Sequence, residues 1–148
     1  MTTPTARGRL GQDLAFTVDE LAGARLRSLR AAYLELDPAP GRLLLLYLIT
    51  DRPGVHRLFL DVGVAFWEDW GENVDEDDDS LHWRDLGAQW GLVNGVIARV
   101  EARAHGPEEA TRVEIDLGPR GCVVLEPIDP AQLDGPSRVR LAPPTPRP

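Results

Sequence analysis

A chain of 148 residues with 43% hydrophobic and 27% charged residues is long enough to bury roughly 70% of its unfolded surface in one core, and lies outside the composition of disordered chains. All 16 basic residues are Arg and none is Lys, which excludes lysine Schiff-base chemistry and a P-loop lysine. A net charge of -8 argues against nucleic acid as a partner, because phosphate binding rests on basic side chains displacing counterions; it favours a basic partner instead.

The N-terminal residues 1–15 lack sustained periodicity and read as a loosely ordered arm. A single domain over 16–142 and a Pro-rich tail at 143–148 follow. Thr17, with Glu20 three residues on, forms a capping box, flanked by Phe16 and Leu21 at the positions of a hydrophobic staple. A helix is therefore expected to start at Val18. Its length has two readings, since Val18, Ala22, Leu26, Leu29, Tyr33 and Leu36 recur at helical spacing across Gly23. Either it runs to Leu36, or a left-handed cap at Gly23 closes a short helix and a strand begins near Ala24.

The strand is preferred because the chain contains an internal echo. Gly23–Ala31 is loosely matched by Asn94–Ala102, and each copy leads through a Pro-containing linker into a strand-like run, Arg42–Thr50 and Thr111–Leu117. Two related β-rich halves would explain the match.

Leu43–Ile49 is apolar on both faces, as a central strand covered on each side should be. Arg52-Pro53-Gly54-Val55 has the Pro and Gly placement of a type II turn. Beyond it, Leu58, Leu60, Val62, Val64 and Phe66 fall on one strand face of His56–Phe66. Leu86, Trp90 and Val93 at helical spacing predict a short second helix within Ser80–Gly95. Val113, Ile115 and Leu117 alternate with charged residues and turn through Gly118–Gly121 into Cys122–Glu126, a predicted hairpin; Arg138–Leu141 adds an edge strand. The expected fold is α+β: a largely antiparallel sheet of about six strands with two short helices.

The longest apolar run is far below the roughly 20 residues that span a membrane, and Met1–Leu10 has no apolar stretch of signal-peptide length. Cys122 is the one cysteine, so an internal disulfide and a multi-thiolate zinc site are excluded. These features lead to the expectation of a cytoplasmic protein with no membrane partner. Nothing in the sequence specifies an oligomeric state.

The charge is concentrated. Glu68, Asp69, Glu72, Asp75, Glu76, Asp77, Asp78 and Asp79 lie in 68–79 without an Arg among them, and the acids elsewhere equal the Arg in number. All four Trp residues, Trp67, Trp70, Trp83 and Trp90, bracket this acidic loop. Carboxylates at 75–79 are ligands of the kind Ca2+ and Mg2+ prefer, so a divalent-metal protein or metal-dependent hydrolase, with His82 nearby, is one reading. The EF-hand pattern fails, because Ser80 stands where the turn glycine belongs and Leu86 where the last Glu belongs.

The bland alternative is a solvated, self-repelling loop. Trp67, Trp83 and Trp90 taken singly are core residues by type, whereas Trp70, between Asp69 and Gly71, suits exposure. His56, His82 and His105 lack metal-site spacing, and His82 beside Asp79 or Asp85 is a thin catalytic pair. Cys122 reads as a small buried hydrophobe. No cofactor is implied.

The favoured reading is a non-catalytic module that binds a basic protein through Trp70, Glu72, Asp75, Glu76, Asp77, Asp78, Asp79 and Trp83. Acids steer a cationic partner, and Trp supplies apolar area with one N–H to satisfy. An immunity-type inhibitor, occupying the phosphate site of a toxin, would use negative charge this way.

Overall fold

The computed structural model describes residues 9–13, 16–34, 42–61, 64–69, 81–104, 111–129 and 136–144. Runs of leucine and β-branched residues punctuated by Gly- and Pro-containing turns form β1 (Arg9–Asp13), β2 (Phe16–Thr17), β3 (Leu26–Leu34), β4 (Arg42–Thr50), β5 (Val55–Asp61) and β6 (Val64–Asp69). There follow β7 (Leu81–Asp85), one helical turn α1 (Leu86–Gln89), β8 (Arg99–Ala104), β9 (Thr111–Asp116), β10 (Cys122–Pro127) and β11 (Ser137–Ala142). All the pairings are antiparallel. They build a six-stranded sheet in the order β1-β6-β5-β4-β3-β7 and a five-stranded sheet in the order β11-β10-β9-β8-β2.

One face of each sheet supplies the core. Leu29, Leu46, Leu48 and Leu58 of the larger sheet join Val100, Val113, Ile115, Val123 and Leu125 of the smaller in one buried cluster, with Leu21, Leu92 and Ile97 from the connecting turns. Burying each such side chain stabilises the fold by roughly 1.5–3 kcal/mol relative to exposure. β4, the strand with apolar residues on both faces, lies between β3 and β5 in mid-sheet, as its composition requires.

The largely antiparallel β reading stands, and the α+β reading with two short helices and about six strands is corrected. The capping-box helix is a 3-10 turn over Asp19–Leu21. No side chain caps it, and the Thr17 hydroxyl donates to Asp19 Oδ1 at 2.9 Å instead. Its neighbours prevent elongation: Phe16 and Thr17 are committed to pairing with Ala102 and Glu101, and Gly23 turns the chain with a φ of 82°. β3 then begins at Leu26, as the strand reading required.

The second helix is only the four residues of α1, capped where the Asp85 side chain accepts from the Ala88 N–H at 3.0 Å. The run read as one strand over His56–Phe66 is two strands, β5 and β6. Leu58 and Leu60 face the core there, whereas Phe66 points away from it beside Phe59. The Thr111–Glu126 hairpin and the β11 edge strand form as expected. In the stretch read as a loose arm, Arg9–Asp13 forms β1 against β6.

Candidate functional site

The outer faces of the two sheets, those turned away from the shared core, differ in character. On the smaller sheet that face is ionic. Glu101 lies opposite Glu114 and Arg103 opposite Arg112, while Arg138 and Arg140 reach Glu126 at 2.9 and 2.8 Å. Arg112 spans Glu114 and Glu126 at 3.4 and 3.9 Å. Burial pushes the Glu126 carboxyl up, but the hydrogen bonds from Arg140 and Arg138 outweigh it and hold it below the ordinary value. The same contact raises Arg140. Among the described residues Glu101, Glu114 and Glu126 each lie within 4.0 Å of at least two arginines.

The outer face of the larger sheet carries two cross-strand rows. In the first, Asp85, Arg30, Tyr47, Arg57 and Glu68 stand opposite one another in register across β7, β3, β4, β5 and β6, with Arg57 donating to Glu68 at 2.6 Å. The second is apolar: Trp83 opposite Ala32, Ala32 opposite Leu45, and Phe59 stacked on Phe66 with ring centroids 4.8 Å apart. Trp83 leans on Tyr47 at 5.2 Å and lies under the Arg30 guanidinium at 5.3 Å, a cation–π distance. Its ring is half-buried, and its indole N–H is buried without a hydrogen-bond partner. A buried donor left unpaired costs about 1–3 kcal/mol.

Of the residues expected to bind a partner, Trp83 is on this face. Trp70, Glu72, Asp75, Glu76, Asp77, Asp78 and Asp79 lie outside the described residues. The ends of their segment are nonetheless located. Glu68 and Asp69 finish β6, Leu81 opens β7, and β5, β4 and β3 lie between, a separation of four strand spacings or roughly 19 Å. The acidic segment thus leaves from and returns to the sheet that bears the aromatic row.

Trp67 and Trp90 are partly buried and pack against the core. Trp67 Nε1–H donates to His56 Nδ1 at 2.8 Å over a stacked ring pair. That bond needs Nδ1 without a proton and ties the buried His56 ring to Trp67. His82 is exposed on β7, and Asp85 is engaged in capping α1. Cys122 is half-buried; burial, then Glu114 and Asp116, push its thiol up to about 11, which disfavours the nucleophilic thiolate.

Sequence reasoning passed over Arg30, Tyr47, Phe59 and Phe66. The available signal was the apolar second face of Leu43–Ile49, which called for a cover or a partner on the outer side. Among the described residues no three His, Cys, Asp or Glu are grouped to hold a metal ion, and no helix is long and apolar enough to cross a membrane. Comparison with family models, curated proteins and solved structures returned no match.

Proposed function

We propose that the protein is a non-catalytic binding module that engages a basic protein. In this reading the acidic 68–79 segment contacts the partner together with the aromatic row on the outer face of the larger sheet. The observation that carries it is Trp83: an aromatic ring on an edge strand, half-buried, with an unpaired indole N–H, four residues after the acidic segment ends. The smaller sheet pairs its carboxylates with arginines, whereas the acidic segment holds eight carboxylates without an Arg among them. Long-range attraction would bring a cationic surface to the acids, and burial of Trp83, Phe59 and Phe66 would hold it there. An inhibitor of the immunity type, covering the anion-binding cleft of a toxin, is one form such a module would take.

Affinity capture from native lysate at low and high salt tests the reading, with wild type beside a variant carrying Asp75→Asn, Asp77→Asn, Asp78→Asn and Asp79→Asn and a second carrying Trp83→Ala. The expected result is a basic protein retained by wild type at low salt and lost with both variants. Purified and titrated, it should bind the carboxylate variant at least about tenfold more weakly, with a flatter salt dependence. Equal retention of the same proteins by all three versions would sink the proposal.

A further inference from the structure

The echo between Gly23–Ala31 and Asn94–Ala102 has a three-dimensional counterpart. At an offset of 71 residues Arg25 corresponds to Val96, and these two form the one isolated bridge among the described residues. Hydrogen bonds around it occur in reciprocal pairs. Gly23 N–H donates to Ile97 O at 2.7 Å and Asn94 N–H to Leu26 O at 2.8 Å; Leu26 N–H donates to Gly95 O and Ile97 N–H to Ala24 O, both at 2.8 Å. Ala24 N–H bonds Leu21 O at 3.1 Å, and Gly95 N–H bonds Leu92 O at 2.9 Å. Each bond becomes its partner when the two segments are interchanged; the pair flanking the bridge has this symmetry in any antiparallel pairing, and here it extends to the bonds donated by Gly23 and Asn94 and to those donated by Ala24 and Gly95.

The correspondence extends outward in both directions. Gly23 and Asn94 share the left-handed backbone, with φ of 82° and 71°; Asn94 is the one non-glycine with positive φ among the described residues. Leu21 and Leu92 are both fully buried. A hairpin-turn arginine braces each turn, Arg52 Nη1 donating to Glu20 O at 2.6 Å and Arg120 Nη1 to Gly91 O at 3.1 Å. Glu20 and Gly91 again differ by the same offset.

The meanders match in register. Leu29 faces Leu48 as Val100 faces Ile115, Leu46 faces Leu58 as Val113 faces Leu125, and Leu58 faces Trp67 as Leu125 faces Val139. The leading strands match too, but crossed over. β7 pairs with Arg30 and Ala31 of the first meander, and β2 with the equivalent Glu101 and Ala102 of the second.

We infer that the chain is a fused pair of one β unit, residues 16–69 and 81–142, related by a twofold axis through Arg25 and Val96, in which each unit lends its leading strand to the other's sheet. A lone unit would leave the β3 or β8 edge unpaired, so the surface built on those edges fits a second unit of the same kind. The outer faces have since diverged. Tyr47, Phe59 and Phe66 occupy positions where the second unit has Glu114, Glu126 and Arg138, so one copy carries the aromatic face and the other the ionic one.

Two measurements on the full chain test this. The first is hydrogen exchange. The amides of Gly23 and Asn94, and those of Leu26 and Ile97, should show protection factors within about tenfold of each other in each pair; a larger difference in either pair overturns the twofold equivalence. The second places a protease site between Asp79 and Ser80 of the complete protein. After cleavage the two fragments should co-elute at the mass of the intact chain and unfold in one transition. Fragments that separate without denaturant overturn the strand exchange.

Discussion

Glu126 shows how a single carboxylate ties a sheet face together. It accepts from Arg138 and Arg140 and sits within 3.9 Å of Arg112, with 9% of its surface exposed. Its folded-state value lies below the ordinary 4.5, so the unfolded chain binds the proton more tightly. The stability it contributes is therefore present above about pH 4.5 and is lost as the pH falls through the lower folded value. Because Arg138 and Arg140 are half-exposed, solvent screening limits the effect. Glu126→Gln should cost about 1–2 kcal/mol at neutral pH, and the variant's melting temperature should fall less between about pH 5 and about pH 3 than that of wild type. Parallel acid slopes for the two proteins would show that the carboxylate has no such role. None of this was legible in the sequence, where Glu126 is only the last residue of an apolar run. The cluster exists because β9 and β11 bring its arginines to the face on which β10 presents Glu126.

At the scale of elements, the return from β9 to β10 illustrates close backbone approach. Gly121 has a φ of 111°, and a Cβ there would meet Ala142 O of β11 at 2.7 Å. Gly118, in the same turn, has a φ of 60° with open space around it. Gly121→Ala should therefore destabilise by roughly 2–4 kcal/mol and loosen β11, while Gly118→Ala should cost only about 1 kcal/mol. Equal losses in urea unfolding would show that β11 does not press on this turn. The hairpin itself was readable, since Val113, Ile115 and Leu117 alternate with charged residues and Gly-Pro punctuates the turn. The helices misled for a reason that is also physical. Thr17 and Glu20 compose a capping box, but cross-strand pairing of β2 and the left-handed Gly23 leave room for one 3-10 turn, and tertiary bonds outweigh a local preference of about 1 kcal/mol.

For the whole molecule, the shared core and the exchanged leading strands make the two sheets mutually dependent. Leu21 and Leu92, equivalent across the axis and each with 0% exposure, should respond alike: Leu21→Ala and Leu92→Ala should each cost about 2–5 kcal/mol, and each should leave a single unfolding transition. A second transition appearing in either variant would mean that the halves melt separately. Composition, the concentration of charge in one segment, the position of the central strand β4 and the echo of two halves were all determined by the sequence alone. They rest on local apolar spacing and residue type, which a linear pattern records. Tertiary structure decided that the strands divide into two sheets, that the leading strands cross between halves, and that Trp83, Tyr47, Phe59 and Phe66 share one face while the equivalent face is ionic. Those outcomes depend on pairing partners far apart in the chain, and strand pairing is chosen by burial of a common core, which no local period encodes.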